Sequence, residues 1–423
     1  MRAVKVGNVP TQLQLFAAVA AAYTDAAGGR LDNEGLYAVA GDRAEVPEAE
    51  RRGRSPVGTS AQPRNLFHRA VRWHQQTLKH MGVLRRVSGE RGVWELADRT
   101  GSGLHRALPG VRLVAFSTSL GVAIWGDCID TFERLDTPIT LCITSPPYCL
   151  AVPRAYGNPR ESDYTDFIVA SLKPIVQHLV PGGSICLNLG QDIFLANSPA
   201  RSMVNERVLL ALHDRLGLKL LDRLVWHNGS KPPGPTHWAS VKRVQLNATY
   251  EFIYWLSPSP ELVRSDNRRV LQPHTEKHRR LIDAGGERRD AVYGDGAYHV
   301  RPGSFSNPTA GKIPRNVLQY GGRCADTLRY RRDAAALRLP AHGATMPVSV
   351  PDFLIRFLSE PGDLIADPFG GTVKTGIAAE RLGRRWMVTE HMLDFLRPAG
   401  ERFHDFDGFS MPDDVEVWPG KAA

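Results

Sequence analysis

Ile139-Thr140-Leu141-Cys142-Ile143 runs directly into Thr144-Ser145-Pro146-Pro147-Tyr148. The first five residues are an unbroken apolar run and predict a buried strand. Two consecutive prolines stop the strand and stiffen the chain beyond it. A small hydroxyl and an aromatic ring therefore stand on a rigid corner at a strand's C-terminal end, where open α/β sheets bind their ligands. Such a corner suits an exocyclic amino group on a nucleobase, a poor nucleophile because its lone pair is delocalised into the ring. Acceptors aimed at its two hydrogens favour a tetrahedral, more nucleophilic nitrogen. The Ser145 side chain and the Pro146 carbonyl are candidate acceptors, Pro147 adds no competing N–H, and Tyr148 offers a flat face for an extruded base. A plain Pro-Pro turn after a core strand is the alternative.

Near the other end, Asp363-Leu364-Ile365-Ala366 reads as a strand. Asp367-Pro368-Phe369-Gly370-Gly371-Thr372 reads as a glycine-rich loop, Val373 to Leu382 as a helix, and Arg385 to Glu390 as the next strand. In this β-loop-α-β unit the glycines let a ligand approach the backbone, and the acid about 20 residues on can hold two ribose hydroxyls. Neither Gly-x-Gly-x-x-Gly nor a Gly-Lys-Ser/Thr phosphate cradle is present, which disfavours NAD and ATP. Gly121 to Cys128 predicts a further strand ending in Gly126-Asp127. Asp127 can accept a hydrogen bond from an adenine amino group, or simply cap the helix that follows.

The chain has 423 residues, a formal net charge of +9, 42% hydrophobic and 23% charged residues. That is long enough for two or three domains, ordinary for a soluble globular protein, and suited to a polyanionic partner. No apolar run long enough for a membrane span is seen, and Leu13 to Tyr23 reads as an amphipathic helix capped by Thr11, not a signal peptide. Five scattered cysteines without Cys-x-x-Cys spacing point to reduced thiols and no metal site. Residues 1–112 are expected to form a separate unit. Asp42 to Arg64 reads as a surface loop, and Asn65 to Met81 as a helix burying Leu66, Ala70, Trp73, Thr77 and Met81 and ended by Gly82. A hairpin from Val83-Leu84-Arg85-Arg86-Val87 and Gly92-Val93-Trp94-Glu95-Leu96 follows. Further on, Tyr164 to Leu179 predicts a helix ended by Pro181-Gly182-Gly183, Ser184 to Gly190 a strand, Asn205 to Leu216 a helix, and Leu218 to Trp226 and Tyr250 to Leu256 two strands. Between these last two, Asn228 to Pro235 is a loop at a strand's end that could line a base pocket or a DNA channel, in which Lys231 reads more readily as a solvated lysine. From 258 to 340 regular patterning fails, while 16 Lys/Arg face 9 Asp/Glu. Arg268-Arg269, Arg279-Arg280, Arg288-Arg289 and Arg331-Arg332 recur as pairs that can grip phosphates or read guanine.

Thr-Ser-Pro-Pro-Tyr after a hydrophobic strand resembles the catalytic motif of amino-group DNA methyltransferases, its serine form the cytosine-N4 branch. Arg154-Ala155-Tyr156-Gly157 resembles that family's loop beyond the motif, and Asn228 to Pro235 its Trp-x-Lys-Pro loop. Asp367-Pro368-Phe369-Gly370-Gly371 resembles its S-adenosylmethionine loop, although many relatives read Phe-x-Gly-Ser-Gly. His342-Gly343-Ala344-Thr345-Met346-Pro347 resembles the flanking cofactor motif, with Gly343 in place of a common proline. The order of these parts is similar to the beta arrangement of the family. Residues 60–100 resemble the winged-helix-like N-terminal domain of methyl-directed restriction endonucleases, with Arg69, Arg72, Lys79, Arg85 and Arg86 placed for phosphates.

The resemblance implies an α/β, circularly permuted Rossmann-like methyltransferase sheet. Its expected divisions are a winged-helix-like auxiliary domain (1–112), a catalytic half (113–257), a target-recognition region (258–340), a cofactor-binding part (341–400) and a tail (401–423). It implies S-adenosyl-L-methionine as cofactor and double-stranded DNA as partner, with a cognate restriction endonuclease as companion or a solitary role, in a monomer or homodimer, in the cytoplasm at the nucleoid. Catalysis then falls to Ser145, Pro146, Pro147 and Tyr148. Cofactor contacts fall to Asp127, Thr144, Thr345, Asp367, Pro368, Phe369, Gly370, Gly371, Thr372 and Glu390. DNA contacts fall to Arg268, Arg269, Arg279, Arg280, Arg288, Arg289, Lys312 and Arg315. A carbon-5 methylase would need a cysteine nucleophile in a Pro-Cys context, which the chain lacks. Adenine-N6 methylation and a non-catalytic DNA-binding regulator on the same fold are the competing readings.

Overall fold

The computed structural model describes residues 12–26, 29–57, 62–80, 84–87, 89–96, 107, 112–150, 159–343 and 345–411. The expected roles of Thr11, Gly82, Arg154 to Gly157 and Ala344 lie outside them.

The N-terminal unit runs α1 (Gln12–Asp25), β1 (Arg30–Leu31), α2 (Asn33–Arg43), α3 (Glu48–Arg52), β2 (Arg54–Val57), β3 (Gln62–Asn65), α4 (Leu66–His80), β4 (Leu84–Arg86) and β5 (Trp94–Leu96). The expected hairpin is present as antiparallel β4 and β5, with β1 on its free side. Two expectations need correction. Asp42 to Arg64 is not a loop: acidic Glu48 and Glu50 open α3 and basic Arg51 and Arg52 close it, the charge order a helix dipole favours, and β2 pairs with β3. Helix α4 forms, but its buried face is one residue on from the expected stripe. Phe67, Val71, His74, Gln75 and Leu78 are buried, whereas Leu66 and Trp73 are exposed at 50% and 39%. The sequence pattern is misleading because His74 and Gln75 are polar yet buried. Gln75 donates to the Tyr23 hydroxyl at 2.7 Å, and burial pushes the His74 imidazole down to about 3, so it is neutral. The unit is not detached either, since Phe16 meets Trp125 edge-on at 5.6 Å and one apolar core runs through both.

The remaining chain forms β6 (Arg112–Ser117), β7 (Gly121–Gly126), α5 (Cys128–Phe132), β8 (Ile139–Thr144), α6 (Glu161–Gln177), β9 (Leu179–Leu189), α7 (Val204–Leu216), β10 (Lys219–His227) and β11 (Tyr250–Ser257). It continues with α8 (Glu276–Asp283), β12 (Ala291–Tyr293), β13 (Tyr298–Val300), β14 (Val317–Gln319) and α9 (Ala325–Ala336). Last come α10 (Ser349–Leu358), β15 (Leu364–Asp367), α11 (Lys374–Arg381), β16 (Arg385–Glu390) and α12 (Leu393–Gly400). Among the described residues the central sheet has nine strands in the order β14-β10-β11-β9-β8-β15-β16-β7-β6. Strands β9, β8, β15, β16 and β7 are mutually parallel, and β8 and β15 are buried at every position, as two-sided parallel strands require. Pro181-Gly182-Gly183, expected to end α6, instead lies within β9, where the register against β8 shifts.

Two more expectations are corrected by packing. The irregular segment 258–340 contains β14, which joins β10 in the sheet, and α9, which packs on α12. Residues 401–411 are no free tail: Arg402 and Phe403 are buried, and Ser410 pairs with Ser117. The Arg402 guanidinium and the Lys374 ammonium both reach Asp326 on α9, at 2.5 and 2.6 Å, and Arg402 also donates to the Thr372 carbonyl. Burial alone would raise the Asp326 carboxyl, yet Arg402 and Lys374 hold it below its ordinary value.

The parallel pair β8 and β15 sets Thr144 beside Asp367. Thr144 Oγ1 donates to Asp367 Oδ1 at 2.8 Å, Thr375 Oγ1 donates to Oδ2 at 2.7 Å, and the Phe369 N–H donates to Oδ1 at 3.1 Å. Burial nevertheless pushes Asp367 up to about 6.

Two outcomes follow. Asp326→Ala strands two buried cations and is expected to cost about 3–5 kcal/mol, read as a lowered denaturant midpoint. For Asp367, a carboxyl raised in the fold favours the folded state below its unfolded value near 3.8, and that advantage is lost as pH rises through about 6. Asp367→Asn cannot ionise. Its unfolding free energy relative to wild type should therefore improve by about 2–3 kcal/mol between pH 4 and pH 7. A pH-independent difference would refute the assignment.

Candidate active site

One cavity of about 1110 Å³ opens at the C-terminal ends of the parallel strands. Ser145, Pro146, Pro147 and Tyr148 line one part of it, and Asp367, Pro368, Phe369, Gly370, Gly371, Thr372 and Glu390 another. Asp127 and Thr345 also line it. The Pro-Pro corner and the glycine-rich loop, far apart in sequence, thus share one cleft. Thr144 is the exception among the expected ligand contacts. It is buried behind the wall and reaches the cleft only through its bond to Asp367. Asp127 does what its alternative reading expected, capping α5 by accepting from the Ile129 and Asp130 N–H groups at 2.9 and 3.2 Å, while also facing the cavity.

On the glycine-rich side, local packing explains the sequence. A Cβ on Gly370 would lie 2.0 Å from Val388 Cγ1, so only glycine lets the loop close on β16. Glu390 accepts from the Gly371 N–H through Oε2 and from the Met392 N–H through Oε1, both at 2.8 Å. Each oxygen keeps a lone pair for a ligand hydroxyl. Val373, next in the chain after Thr372, is left-handed at φ 55°, a costly state for a β-branched residue. It stands where the Phe-x-Gly-Ser-Gly pattern carries its second glycine. A roomy cavity, a close-packed loop and a carboxylate with spare acceptors fit S-adenosylmethionine.

On the Pro-Pro side, the Tyr148 ring packs so closely on Gly190 that a Cβ there would sit 2.5 Å from Tyr148 Cε2. The Tyr148 hydroxyl lies 3.0 Å from Ser145 Oγ and donates to Glu251 Oε2 at 3.0 Å. Asn188 Nδ2 lies 2.8 Å from that hydroxyl, 2.9 Å from Glu251 Oε2 and 3.3 Å from Ser145 Oγ. Burial, then the Glu251 charge, holds the Tyr148 phenol well above its usual range. Lys231 is no free loop lysine: its ammonium is 3.1 Å from Asp192 and 3.6 Å from Glu251, and it lines the cavity. Asn188, Gly190, Asp192 and Glu251 were not singled out from sequence. The signal was there for two of them: Asn188 is a polar residue within an apolar run, and Glu251 is a carboxylate near a strand end, as Asp127 is.

The expected DNA-contacting residues are absent from the cavity wall. Arg268 pairs with Asp266, Arg280 with Glu276, and Arg289 with Glu287, while Arg269 bonds Glu360 and the Ser359 carbonyl. Arg279, Arg288, Lys312 and Arg315 are exposed. The arginines that line the cavity are Arg323 and, from the recurring pairs, Arg331.

A family model described as DNA methylase matches residues 139–401. The Type II methyltransferase M.PvuII of Proteus hauseri is 33% identical over 298 residues, spanning 69% of this chain and 86% of the relative. Type II methyltransferase M.BamHI of Bacillus amyloliquefaciens is 22% identical over 289 residues, spanning 65% of this chain and 55% of the relative. Among solved structures, PvuII DNA methyltransferase (cytosine-N4-specific) superposes with a TM-score of 0.56 at 28% identity, covering 70% of this chain and 91% of that one. With the family model matching well over half of its length, the chain belongs to the DNA methylase family.

Proposed function

We propose that the protein is a site-specific DNA methyltransferase that uses S-adenosylmethionine to methylate the N4 amino group of cytosine in duplex DNA. The observation that carries this reading is the shared cleft, with the Ser145–Tyr148 corner and the Asp367–Thr372 loop joined through Thr144 and Asp367. The likeness to M.PvuII and to a cytosine-N4-specific structure supports the choice of base.

S-adenosylmethionine, when bound, supplies an electrophilic methyl group on a positively charged sulfur. The chain's residues do the rest. Glu390 holds the ribose hydroxyls through its free lone pairs, and Asp127 accepts from the adenine amino group. Ser145 Oγ and the Pro146 carbonyl accept the two hydrogens of the target amino group, and Tyr148 stacks on the flipped base. No enzyme nucleophile is needed, since alignment of amine and methyl group supplies much of the acceleration.

Exposed Arg279, Arg288, Lys312 and Arg315 are suited to phosphate contact, and the locally paired Arg268, Arg269, Arg280 and Arg289 to the same surface by exchanging partners. We read the N-terminal unit as a winged-helix-like auxiliary DNA-binding module, with Arg69, Arg72 and Lys79 exposed on α4. A cytoplasmic, nucleoid-associated location follows from a DNA substrate. To the same reading belong a companion restriction endonuclease and a monomer or homodimer.

Incubation of purified protein with unmethylated plasmid and labelled S-adenosylmethionine, followed by nucleoside analysis, should yield N4-methyldeoxycytidine. N6-methyldeoxyadenosine would overturn the choice of base. Ser145→Ala should lower turnover on the order of 10²-fold, the usual loss when one positioned hydrogen-bonding group is removed from a reacting centre. Gly190→Ala should displace the Tyr148 ring and depress the methyl-transfer rate while calorimetry shows cofactor binding intact. Unchanged transfer would mean that the ring's seat does not matter.

A further inference from the structure

We propose that Glu251, acting through Tyr148, fixes Ser145 as a hydrogen-bond acceptor toward the target amino group and receives the proton that methylation releases. The proposal rests on the cytosine-N4 reading above. Its basis is a question of hydrogen-bond direction. An ionised carboxylate has lone pairs and no proton to give. The Tyr148 hydroxyl, 3.0 Å from Glu251 Oε2, must therefore spend its one proton on that contact. The Tyr148 oxygen can then only accept from Ser145, 3.0 Å away, so the Ser145 hydroxyl is the donor there. Its lone pairs face Asn188 Nδ2, 3.3 Å away, and the cleft it lines.

Asn188 enforces the same sense. Its Nδ2 can only donate, and it reaches both the Tyr148 oxygen at 2.8 Å and Glu251 Oε2 at 2.9 Å. The Asn188 side chain is 2% exposed, so this polarity is set away from bulk water. With an amide in place of Glu251, the chain could reverse. Tyr148 would accept from the amide and donate to Ser145, and Ser145 could then present its proton to the amine, which needs an acceptor.

The same path can move a proton. As the bond from N4 to the methyl carbon forms, the sulfur–methyl bond breaks and its electron pair stays on sulfur, leaving a neutral thioether. The nitrogen then carries one proton too many. That proton passes to Ser145 Oγ, the Ser145 proton passes to Tyr148, and the Tyr148 proton passes to Glu251 Oε2. Tyr148 is restored as a phenol, in keeping with a burial that disfavours the phenolate. The charged groups facing Glu251 are Lys231, 3.6 Å from Oε1, and Asp192 behind it. Of the relay's members only Ser145 touches the substrate amine; Tyr148, through its hydroxyl, and Glu251 and Asn188 are positioning residues.

Single-turnover methyl transfer to cognate duplex tests this with Glu251→Gln, Tyr148→Phe, their combination, and Glu251→Asp. Each of the first two should lower the transfer rate on the order of a hundredfold, within the range for proton-transfer groups, with cofactor and DNA affinity unchanged. The double variant should be no slower than the slower single, because both break one chain, and Glu251→Asp should recover part of the rate. Wild-type rates in Glu251→Gln, or losses that multiply in the double variant, would overturn the relay. So would a loss of cofactor or DNA affinity that accounts for the whole effect. If Glu251→Gln fails to fold, Tyr148→Phe, which keeps the ring and its stacking face, decides alone. A wild type that labels DNA but no cytosine would overturn the functional reading, and the relay with it.

Discussion

A single buried hydrogen bond, Thr144 Oγ1 to Asp367 Oδ1, joins the two halves of the site across 223 residues of chain. Thr144 immediately precedes Ser145, and Asp367 opens the glycine-rich loop, so the bond sets the spacing between the Pro-Pro corner and that loop. It costs the protein a buried carboxyl, relieved by donors from Thr375 and the Phe369 N–H. A direct amine attack on a methyl group is acutely sensitive to distance and angle. A rigid tether at the base of the cleft is a physical answer to that demand, and neighbouring parallel strands provide it without any mobile element.

The glycine-rich loop needs further restraint because Val373 is left-handed. Strain of this sort persists only where the surroundings over-determine it. Here they do: the Val373 N–H bonds the Gly370 carbonyl at 2.7 Å, its side chain is fully buried, and Arg402 holds the neighbouring Thr372 carbonyl. Arg402 is in turn held by Asp326, which also binds Lys374 one residue beyond Val373. Three elements distant in sequence, α9, α11 and the residues after α12, thus converge on one strained turn. What reads in sequence as part of a basic irregular region and a tail is the brace of the cofactor loop.

How much of this was legible follows from how local each signal is. The apolar run into Ser-Pro-Pro-Tyr and the loop followed by Glu390 are local patterns, and both formed as expected within a residue or two. Their meeting in one cleft required the order of the parts, which the sequence also carries. The face of α4 is not legible from periodicity because Gln75 is buried through its bond to Tyr23 and His74 against the Phe16 ring, and no periodicity reveals a partner on another element. The ion pairs of Lys231 are equally hidden in sequence, since Asp192 and Glu251 lie on other segments. Asp326 and Arg402 sat inside regions judged by composition, and composition says nothing about which charge is buried.

The permuted order also explains why the long segment 258–340 can sit between β11 and α10. The contact it separates, β8 with β15, is already closed by a very long loop. Loop-closure entropy grows only logarithmically, so lengthening that loop by roughly eighty residues to its present size costs about 0.4 kcal/mol. The same segment spliced into the two-residue connection between Gly370 and Val373 would be ruinous, because a short strained turn has no such tolerance. Variation is therefore cheap in the middle of the chain and expensive at the two loops that line the cleft. The fold separates a long connection that tolerates change from short, braced turns that do not, and the Thr144–Asp367 bond lies on the second side of that divide.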